Sequence, residues 1–287
     1  MKCSICPRAC GVDRSKTKGY CLQTEKVRVS KVMFHTFEEP CISGINQKGS
    51  GAIFFAGCNL KCVFCQNYLI SHLNKGKNIS VLHLAHIFKK LEKRGALNIN
   101  LVTPTHYTMQ IIEALKIYKP SIPVVWNSSG YECAETIKLL DGLVDVFLVD
   151  MKYADNNLAK KYSRAENYVE NCRASIKEMK RQQPKDVFEG GLLKKGVIIR
   201  HLVLPNNTQD SVNCLKYIAQ NYGKDTIVSI MSQYEPCYEA DKFAEINRKL
   251  KPLEYKRVVS CAQELDMMNC YTQELSSANN KCYTPKF

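Results

Sequence analysis

The sequence has no long apolar run, and its amino terminus has no apolar stretch of the kind that a secretory signal needs. No continuous apolar segment approaches the length of about 18 residues that would cross a membrane. The first residues, MKCSICPRACG, contain a lysine but no apolar core after it. We therefore expect a protein with no membrane association that stays in the cytoplasm.

The sequence also lacks an arginine-rich block, an RGG run, low-complexity segments and any linker that would mark a domain boundary. Glycine and proline, at 14 and 10 of 287 residues, are not in excess, and 45% of the residues are hydrophobic, which is a globular composition. The formal net charge is +14, but the lysines are spread along the whole chain. Nucleic-acid binding stays open on this charge, although a solvated lysine-rich surface that meets an acidic protein or an anionic small molecule is favoured.

Cysteine, by contrast, is abundant, with 15 residues. In a reducing cytoplasm, closely spaced cysteines are more often metal ligands than disulfide partners. Because such thiols are sensitive to oxygen, the cysteine content suggests an anaerobic host.

Six apolar, β-prone segments alternate with helix-like segments along the chain. The predicted strands are 52–56, 98–103, 122–126, 144–150, 196–204 and 226–231. The predicted helices are 81–95, which begins after the N-cap candidate Ser80, and 108–119, 134–142, 169–182, 210–223 and 239–250. This alternation is typical of a parallel sheet that helices cover. Since six repeats do not close an eight-stranded barrel, we predict an α/β fold with a partial (β/α)6 TIM-like barrel, and a doubly wound open sheet is the alternative.

The segment GCNLKCVFCQN at 57–67 directly follows the first predicted strand and contains Cys58, Cys62 and Cys65. The carboxyl end of a strand is where α/β barrels place their active sites. Tetrahedral zinc usually takes four ligands, and no fourth thiol lies nearby in the sequence. Three thiolates can instead hold three irons of a cubane and leave the fourth iron without a protein ligand. The polar neighbours Asn59 and Lys61 argue against three cysteines that merely fill the core.

This CxxxCxxC segment, with Phe64 before the third cysteine, resembles the cluster loop of the radical S-adenosylmethionine (SAM) superfamily. The resemblance implies a [4Fe–4S] cluster at Cys58, Cys62 and Cys65, whose open iron is chelated by the amino and carboxylate groups of SAM. It also implies that one-electron reduction cleaves SAM to a 5′-deoxyadenosyl radical, which abstracts a hydrogen atom. Flavodoxin or ferredoxin is the usual kind of electron donor for this superfamily.

Further segments resemble one branch of that superfamily, the glycyl-radical-enzyme activating enzymes. VDMK at 149–152 resembles their Asp-x-Lys segment, and IRHLVLPNNTQD at 199–210 resembles their fifth-strand segment. FEEPCISG at 37–44 stands where these enzymes have a hairpin. Up to about residue 257 the chain resembles pyruvate formate-lyase activating enzyme-like proteins, which implies hydrogen abstraction from a glycine of a partner enzyme.

The same resemblance implies that four side chains line the SAM pocket: Asp150, Lys152, Arg200 and His201. Activating enzymes have Gly-Gly-Glu after the second strand, whereas this chain has TPTH at 103–106. Thr103 and Thr105 are candidates for contacts to the SAM ammonium, because hydroxyls and backbone carbonyls accept hydrogen bonds. On the third strand, Asn127 and Ser129 are further SAM-pocket candidates.

Each of these polar residues also has a purely structural interpretation. An ion pair at a strand end would account for Asp150 and Lys152 without any chemistry. His201, inside an apolar strand, is explained equally well as a hydrogen-bonded core histidine. His106, after Pro104, would in the same way mark only the start of a helix.

The N-terminal segment contains four more closely spaced thiols: Cys3, Cys6, Cys10 and Cys21. Their spacing is that of a metal site but not of a standard zinc ribbon. A structural zinc ion is favoured, and an auxiliary iron–sulfur cluster is the alternative. A third interpretation is that the four thiols bind no metal. We therefore expect residues 1–48 to form a cysteine-rich extension, residues 49–257 the partial barrel and residues 258–287 a C-terminal extension.

The remaining cysteines carry weaker expectations. Cys41 falls near the expected site without a defined role. Three cysteines on helical patterns are expected to be packing residues: Cys133, Cys172 and Cys214. Four late cysteines are spaced too widely to favour another metal site: Cys237, Cys261, Cys270 and Cys282.

Three hypotheses about function result. The first is a radical SAM enzyme that generates a glycyl radical on a partner enzyme. The second is a radical SAM enzyme that modifies another peptide, an RNA or a small molecule, which the departure at 103–106 and the N-terminal thiols favour. The third, an iron–sulfur carrier or a zinc-stapled binding protein without catalysis, leaves VDMK and IRHLVLP unexplained.

Overall fold

The computed structural model describes residues 2–275 and residue 287. In this part of the chain the strands are β1 (Val27–His35), β2 (Ser50–Phe55), β3 (Lys77–Ile79), β4 (Ile99–Val102), β5 (Val124–Ser128), β6 (Val146–Asp150), β7 (Val187–Glu189), β8 (Leu192–Leu202), β9 (Ile227–Met231) and β10 (Cys270–Thr272). The helices are α1 (Pro40–Ser43), α2 (Tyr68–Ser71), α3 (Val81–Lys93), α4 (Thr108–Ile117), α5 (Ala134–Lys138), α6 (Asn156–Ser163), α7 (Tyr168–Gln182), α8 (Thr208–Tyr222) and α9 (Pro252–Glu264). None of these helices combines the length and the apolar character that a membrane span requires.

The strands form one sheet in the order β10-β9-β8-β6-β5-β4-β2-β1-β3, and β7 pairs with β8 as a hairpin. All neighbours from β2 to β10 along this path are parallel. β1 is antiparallel to both β2 and β3. The ends of the described sheet do not meet, so the predicted α/β fold with a partial barrel is confirmed, and β10 adds a further parallel strand.

All six predicted strands are present, but the helix predicted at 239–250 is wrong. That segment contains only a 3-10 turn at Ala240–Lys242, and the helix begins later, at Pro252. A proline in the first turn fixes the start of a helix, because its dihedral angle suits the helix and its missing N–H is not needed there. Glu254 reinforces this start, since its carboxylate accepts a hydrogen bond from the backbone N–H of Lys251 at 2.9 Å.

The sequence prediction missed β1, which lies inside the expected cysteine-rich extension and pairs with β2. It also missed α6, although that helix begins at a capped position, where Asp155 accepts from the N–H of Asn157 at 2.7 Å. α9 runs across the expected boundary after residue 257. The division of the chain into three parts stays a prediction.

Side chains on the two faces of the sheet have different surroundings. The outer face packs against the helices with residues such as Phe55, Leu101 and Trp126. On the inner face, α1 closes the space between the strands, where Cys41 and Ile42 pack in an apolar cluster. That cluster also contains these strand residues: Val125, Val146, Leu148, Leu193, Ile198 and Ile227. Polar residues on the inner face therefore gather beyond it, towards the carboxyl ends of the strands.

The N-cap of α3 gives a direct test of local stability. The Ser80 hydroxyl oxygen accepts a hydrogen bond from the backbone N–H of His83 at 3.1 Å. Replacing Ser80 with alanine should lower the free energy of unfolding by about 0.5–2 kcal/mol, because one N–H at the helix start loses its acceptor. Ser80→Asp, which keeps an acceptor, is the control in urea unfolding. An unchanged midpoint in the alanine variant would show that the cap contributes nothing.

Candidate active site

The loop that follows β2 has a fixed backbone. Gly57 has a φ of 82°, and a Cβ at this position would collide with the carbonyl of Cys21, so only glycine fits. The backbone N–H groups of Lys61 and Val63 donate to carbonyls at the end of α6, at 3.1 and 2.8 Å. The Asn59 side chain donates to the carbonyl of Tyr131 at 2.6 Å. Contacts with three other segments therefore fix the loop that contains the three predicted cluster cysteines.

Hydrogen-bonding groups contact each of the three sulfur atoms of this loop. The Ser163 hydroxyl donates to Cys62 Sγ at 3.0 Å, and the Ser71 hydroxyl lies 3.1 Å from Cys65 Sγ. The backbone N–H of Leu60 donates to Cys58 Sγ at 3.4 Å. Donors aimed at sulfur stabilise thiolates, which are the form that binds metal.

Burial raises the pKa of Cys58 to about 11 and that of Cys65 to about 12. Burial also raises the pKa of Cys62, although the nearby Lys152 ammonium opposes it. Metal binding at these thiols would therefore displace protons.

The donor set fits an iron–sulfur cubane better than a single zinc ion. Within residues 2–275 no three cysteine, histidine or carboxylate side chains converge closely enough to bind one metal ion. A cubane places each thiolate on a different iron, so its ligands stand further apart than those of one ion. The three thiols of the loop are near enough for their charges to interact, as a shared cluster would need: Cys58, Cys62 and Cys65.

Opposite the loop, Arg200 organises an ionic network on the inner face. Residues 150 and 200 are register partners of β6 and β8, which brings Asp150 and Arg200 side by side. Arg200 Nε donates to Asp150 Oδ1 at 2.8 Å, one terminal nitrogen donates to Glu38 Oε2 at 3.0 Å, and the other donates to Asn127 Oδ1 at 2.7 Å. Lys152 Nζ donates to Asp150 Oδ2 at 2.6 Å.

The network keeps its charges although it is largely buried. The side chains of Arg200, Asp150 and Glu38 are only 13, 13 and 9% exposed. Burial alone would raise the pKa of Asp150, but the charges of Arg200 and Lys152 hold it below its usual value. Burial alone would lower the pKa of Lys152, but Asp150 raises it. Both groups are therefore ionised at neutral pH.

A cavity of about 220 Å³ lies between the loop and the network. We call it the cluster cavity, and its polar lining includes Cys62, Cys65, Asn127, Asp150, Lys152 and Arg200. Aromatic side chains line it as well: Phe37, Phe54, Phe64 and Tyr234. The structure thus brings two cluster cysteines together with four of the eight residues predicted to contact SAM.

The structure does not bring His201 into this cavity. Side chains alternate along a strand, so the inward position of Arg200 turns His201 to the outer face. There its Nδ1 donates to the carbonyl of Met151 at 2.7 Å, and its Nε2 accepts from the Ser211 hydroxyl at 2.8 Å. Burial lowers the pKa of His201 to about 4, so the ring is neutral. This is the arrangement of a hydrogen-bonded core histidine.

The residues after β4 also face away from the cavity. The Thr105 hydroxyl donates to the buried carboxyl of Glu132 at 2.7 Å. His106 Nε2 donates to the carbonyl of Ala56 at 2.8 Å, and burial lowers its pKa to about 3. Thr103 and Ser129 follow the ends of β4 and β5, and the structure does not place either in the cavity lining.

Four residues of the site were not predicted: Glu38, Ser71, Asn100 and Ser163. Glu38 Oε1 accepts from Asn100 at 2.9 Å and from Asn127 at 3.1 Å, so it completes the network around Arg200. The sequence could have indicated two of these residues. Glu38 belongs to a pair of glutamates in a basic chain, and Asn100 is a polar residue in an apolar strand. Ser163 approaches Cys62 through a tertiary contact that the sequence does not indicate, whereas Ser71 lies only six residues after Cys65.

The N-terminal cysteines lie in one lobe beside the cluster loop. A Cβ added to Gly19 would lie 3.2 Å from Cys10 Sγ and 3.6 Å from Cys21 Sγ. Cys3 hydrogen-bonds to Cys10, and burial raises the pKa of Cys6 to about 12. Arg8 of the same lobe donates to the carbonyl of Asn59 in the cluster loop at 2.7 Å.

The other cysteines are dispersed. Cys41 is 2% exposed in the inner apolar cluster rather than open to the cavity. Cys172 and Cys214 are in the core, and Cys133 is half-buried. Cys237 Sγ lies 3.3 Å from the carbonyl of Phe64. Cys261 and Cys270 are on α9 and β10, and Cys282 lies outside the described residues.

Comparison with known proteins identifies the family. The family model of the Radical SAM superfamily matches residues 52–218. The chain belongs to the radical SAM superfamily. An uncharacterized protein of Methanocaldococcus jannaschii is 32% identical over 275 residues, which cover 92% of this chain and 75% of the relative. Membership implies an enzyme family that cleaves SAM with a [4Fe–4S] cluster.

Solved structures support the fold of this radical SAM protein. HydG, a maturase of the [FeFe]-hydrogenase, aligns with a TM-score of 0.52 and 13% identity over 75% of this chain and 48% of HydG. SuiB of Streptococcus suis bound to SAM aligns with a TM-score of 0.50 and 14% identity, over 77% of this chain and 49% of SuiB. The chain spans about half the length of these structures. At these identities the likeness concerns the fold alone.

Proposed function

We propose that this protein abstracts a hydrogen atom from a glycine of a glycyl-radical enzyme. The observation that supports radical SAM chemistry most strongly is the cluster cavity, where Cys62 and Cys65 face Asp150, Lys152 and Arg200. The VDMK and IRHLVLP segments, which resemble the activating enzymes, supply two of the cavity walls. When bound, the cluster and SAM supply the one-electron reduction and the 5′-deoxyadenosyl radical that takes the hydrogen atom.

The chain's own residues bind and orient. Arg200 fixes Asp150 and Asn127, so that both side chains present polar groups to SAM in set directions. Lys152 binds Asp150 and lines the cluster cavity together with Cys62, where its positive charge opposes the rise that burial causes in the pKa of that thiol. Groups that are fixed before the ligand arrives need little reorganisation when it binds.

Aromatic side chains limit the access of water to the same space. Phe37, Phe54 and Phe64 line the cluster cavity together with Tyr234. Removing water strengthens the ionic contacts and protects a reactive intermediate from side reactions.

A second candidate function is radical SAM modification of another peptide, an RNA or a small molecule. The specific observation is at residues 103–106, where activating enzymes have Gly-Gly-Glu. Here the Thr105 hydroxyl is bound to Glu132, so this position presents no carboxylate to the cavity. A glycyl-radical signal in electron paramagnetic resonance (EPR), formed on a purified partner enzyme such as pyruvate formate-lyase, distinguishes the first function from the second.

SAM binding to the reduced cluster tests the proposal. Anaerobic protein reconstituted with iron and sulfide should give the EPR spectrum of a reduced [4Fe–4S] cluster, and SAM should change that spectrum because it binds the open iron. A cluster spectrum that SAM leaves unchanged would overturn the proposal. We further propose flavodoxin or ferredoxin as the physiological electron donor, in keeping with the net charge of +14, which suits an acidic partner.

The hydrogen bond from Ser163 to Cys62 should raise the reduction potential of the cluster. Donors to cluster sulfurs raise the potential, because they stabilise the more negative reduced state. Replacing Ser163 with alanine should lower the potential by roughly 20–60 mV, as expected when a hydrogen bond of about 1 kcal/mol is lost in a one-electron couple. A redox titration followed by EPR measures this, with Ser175→Ala on α7 as the control. A potential that rises in Ser163→Ala would contradict the assignment.

We also propose a second metal site at four N-terminal thiols: Cys3, Cys6, Cys10 and Cys21. Their common lobe supports it, and thiols are donors for structural zinc and for an auxiliary cluster. Because the four side chains do not converge on one point in the described structure, a single zinc ion would have to draw them together as it binds. Replacing Cys6 with alanine should remove the metal bound at this second site and leave the SAM-binding cluster intact, because the two sets of thiols lie on different loops. Elemental analysis of the variant identifies the metal. Equal metal content in the variant and the parent would exclude the site.

A further inference from the structure

A second and larger cavity, of about 540 Å³, adjoins the cluster cavity. We call it the acidic cavity, and its polar lining includes Glu38, Glu39, Arg200, Ser229, Gln233 and Glu274. It shares five residues with the cluster cavity: Phe37, Glu38, Arg200, Met231 and Gln233. None of the three cluster cysteines lines it. Its volume is in the range of about 300–1,000 Å³ that is usual for small-molecule sites.

Glu39 is the residue that indicates a ligand in this cavity. It precedes α1 and is only 8% exposed, yet its Oε2 has no hydrogen-bond partner among the described residues. Burial and the neighbouring Glu38 raise the pKa of this carboxyl, and Arg200 opposes them. A cation bound beside Glu39 would lower this pKa again and stabilise the ionised carboxylate. Buried carboxyl oxygens are rarely left unpaired in native proteins, because their desolvation is then not compensated. A ligand in the acidic cavity would supply the missing partner.

The charge of the cavity indicates what this ligand carries. Of the three glutamates that line it, Glu38 is already paired with Arg200, the one arginine of the lining. Glu39 and Glu274 therefore add two carboxyl groups beyond that ion pair. This lining contrasts with the chain as a whole, which has a net charge of +14. A positively charged group is stabilised by such carboxylates, and an anionic group is repelled.

SAM does not account for the acidic cavity. Two of the thiols that would place SAM, Cys62 and Cys65, line the cluster cavity, and none of the three lines the acidic cavity. A group bound beside Glu39 would therefore reach the reaction space next to SAM rather than replace it.

We propose that the acidic cavity is a substrate subsite that binds an ammonium or guanidinium group, with Glu39 as its charged partner. The proposal rests on the proposed radical SAM function, because it places part of the substrate beside the SAM site. The group belongs either to a free amine or to a basic side chain of a peptide, and both offer the same chemistry to Glu39.

Calorimetric titration of the reconstituted protein, held anaerobically with saturating SAM, tests the subsite. The probes are agmatine, the peptide Ala-Gly-Arg-Ala, and the same peptide with citrulline, a neutral isostere, in place of arginine. The arginine peptide or agmatine should bind at least about tenfold more tightly than the citrulline peptide, as expected for a charged hydrogen bond. Tight binding of agmatine indicates a free amine as the source, and tight binding of the arginine peptide alone indicates a peptide.

Glu39→Gln should remove this preference for charge while it keeps the shape of the side chain. Glu189→Gln, which neutralises an exposed carboxylate on β7, is the matched control and should keep the preference. Circular dichroism checks folding, and Glu39→Asp, which keeps the charge, should retain part of the preference. Either of two results would overturn the subsite. The first is a parent protein that binds the arginine and citrulline peptides equally and does not bind agmatine. The second is competition between the probes and SAM.

The same samples separate this proposal from the proposed function. A protein that binds SAM but does not distinguish arginine from citrulline, and does not bind agmatine, refutes the subsite alone. A protein that holds its cluster and does not bind SAM refutes the proposed function, and the preference for charge is still measured in it.

Discussion

Replacing Arg200 with leucine is expected to lower the free energy of unfolding by about 3–5 kcal/mol and to abolish SAM binding. Arg200 is the shared partner of Asp150, Glu38 and Asn127. Without it two carboxylates stay largely buried, and only Asp150 keeps a cationic partner, Lys152. Breaking a buried ionic network by removing one member is costly, because the remaining charges lose their compensation.

Urea unfolding of the two proteins measures the effect on stability. Arg257→Leu is the matched control, since Arg257 on α9 binds only the neutral side chains of Thr208 and Gln209 among its described contacts. Arg200→Lys should restore only part of the stability. Its ammonium keeps the positive charge but cannot replace three directed hydrogen bonds. An Arg200→Leu variant as stable as the control would show that the network does not stabilise the fold.

The pH dependence of this difference follows from the carboxyl groups. In the folded protein the pKa of Asp150 lies below its usual value of about 3.9, so its stabilising contribution is present above that value. The contribution is lost as the pH falls through the lowered pKa of the folded state. The gap in stability between the parent and Arg200→Leu should therefore narrow in acid.

Replacing Cys62 with alanine is expected to remove the iron–sulfur cluster. One of three thiolates that hold the cubane is then missing, and two cannot hold it in place. The variant should lose about four iron atoms per chain, together with its visible absorbance and its 5′-deoxyadenosine product. Iron analysis and mass spectrometry of the product measure these losses.

Cys237→Ala is the matched control for Cys62→Ala. Cys237 lies beside the cluster loop, with its Sγ 3.3 Å from the carbonyl of Phe64, but it is not on the loop. This variant should keep its cluster and its activity. A Cys62→Ala protein with the iron content of Cys237→Ala would contradict the assignment of the three cluster ligands.

The sheet was predictable because buried parallel strands are continuous apolar runs. Segments such as 144–150 and 226–231 show this pattern, and both are strands in the structure. β10 was not predicted, because an edge strand needs no continuous apolar run and depends on its pairing partner. β1, between β2 and the short strand β3, was missed because most of its residues are only partly buried and its sequence is not a continuous apolar run. The helix at 239–250 was wrong because helical spacing of apolar residues does not reveal that Pro252 starts the helix.

Within the site, residues at strand ends could be predicted and those that approach from other segments could not. Asp150 and Arg200 stand at the ends of β6 and β8, where parallel strands bring their side chains together. His201 was assigned to the pocket by resemblance, although alternation along β8 places it opposite Arg200. Glu38 reaches the network from the loop before α1, a contact that no local pattern indicates.

The production of 5′-deoxyadenosine tests the central claim most directly. The protein is reconstituted anaerobically, reduced, incubated with SAM and analysed by mass spectrometry, both alone and with pyruvate formate-lyase as the proposed kind of substrate. The account predicts 5′-deoxyadenosine that requires reductant and is absent in Cys62→Ala. A protein that holds a [4Fe–4S] cluster and binds SAM but yields no 5′-deoxyadenosine under either condition would contradict it.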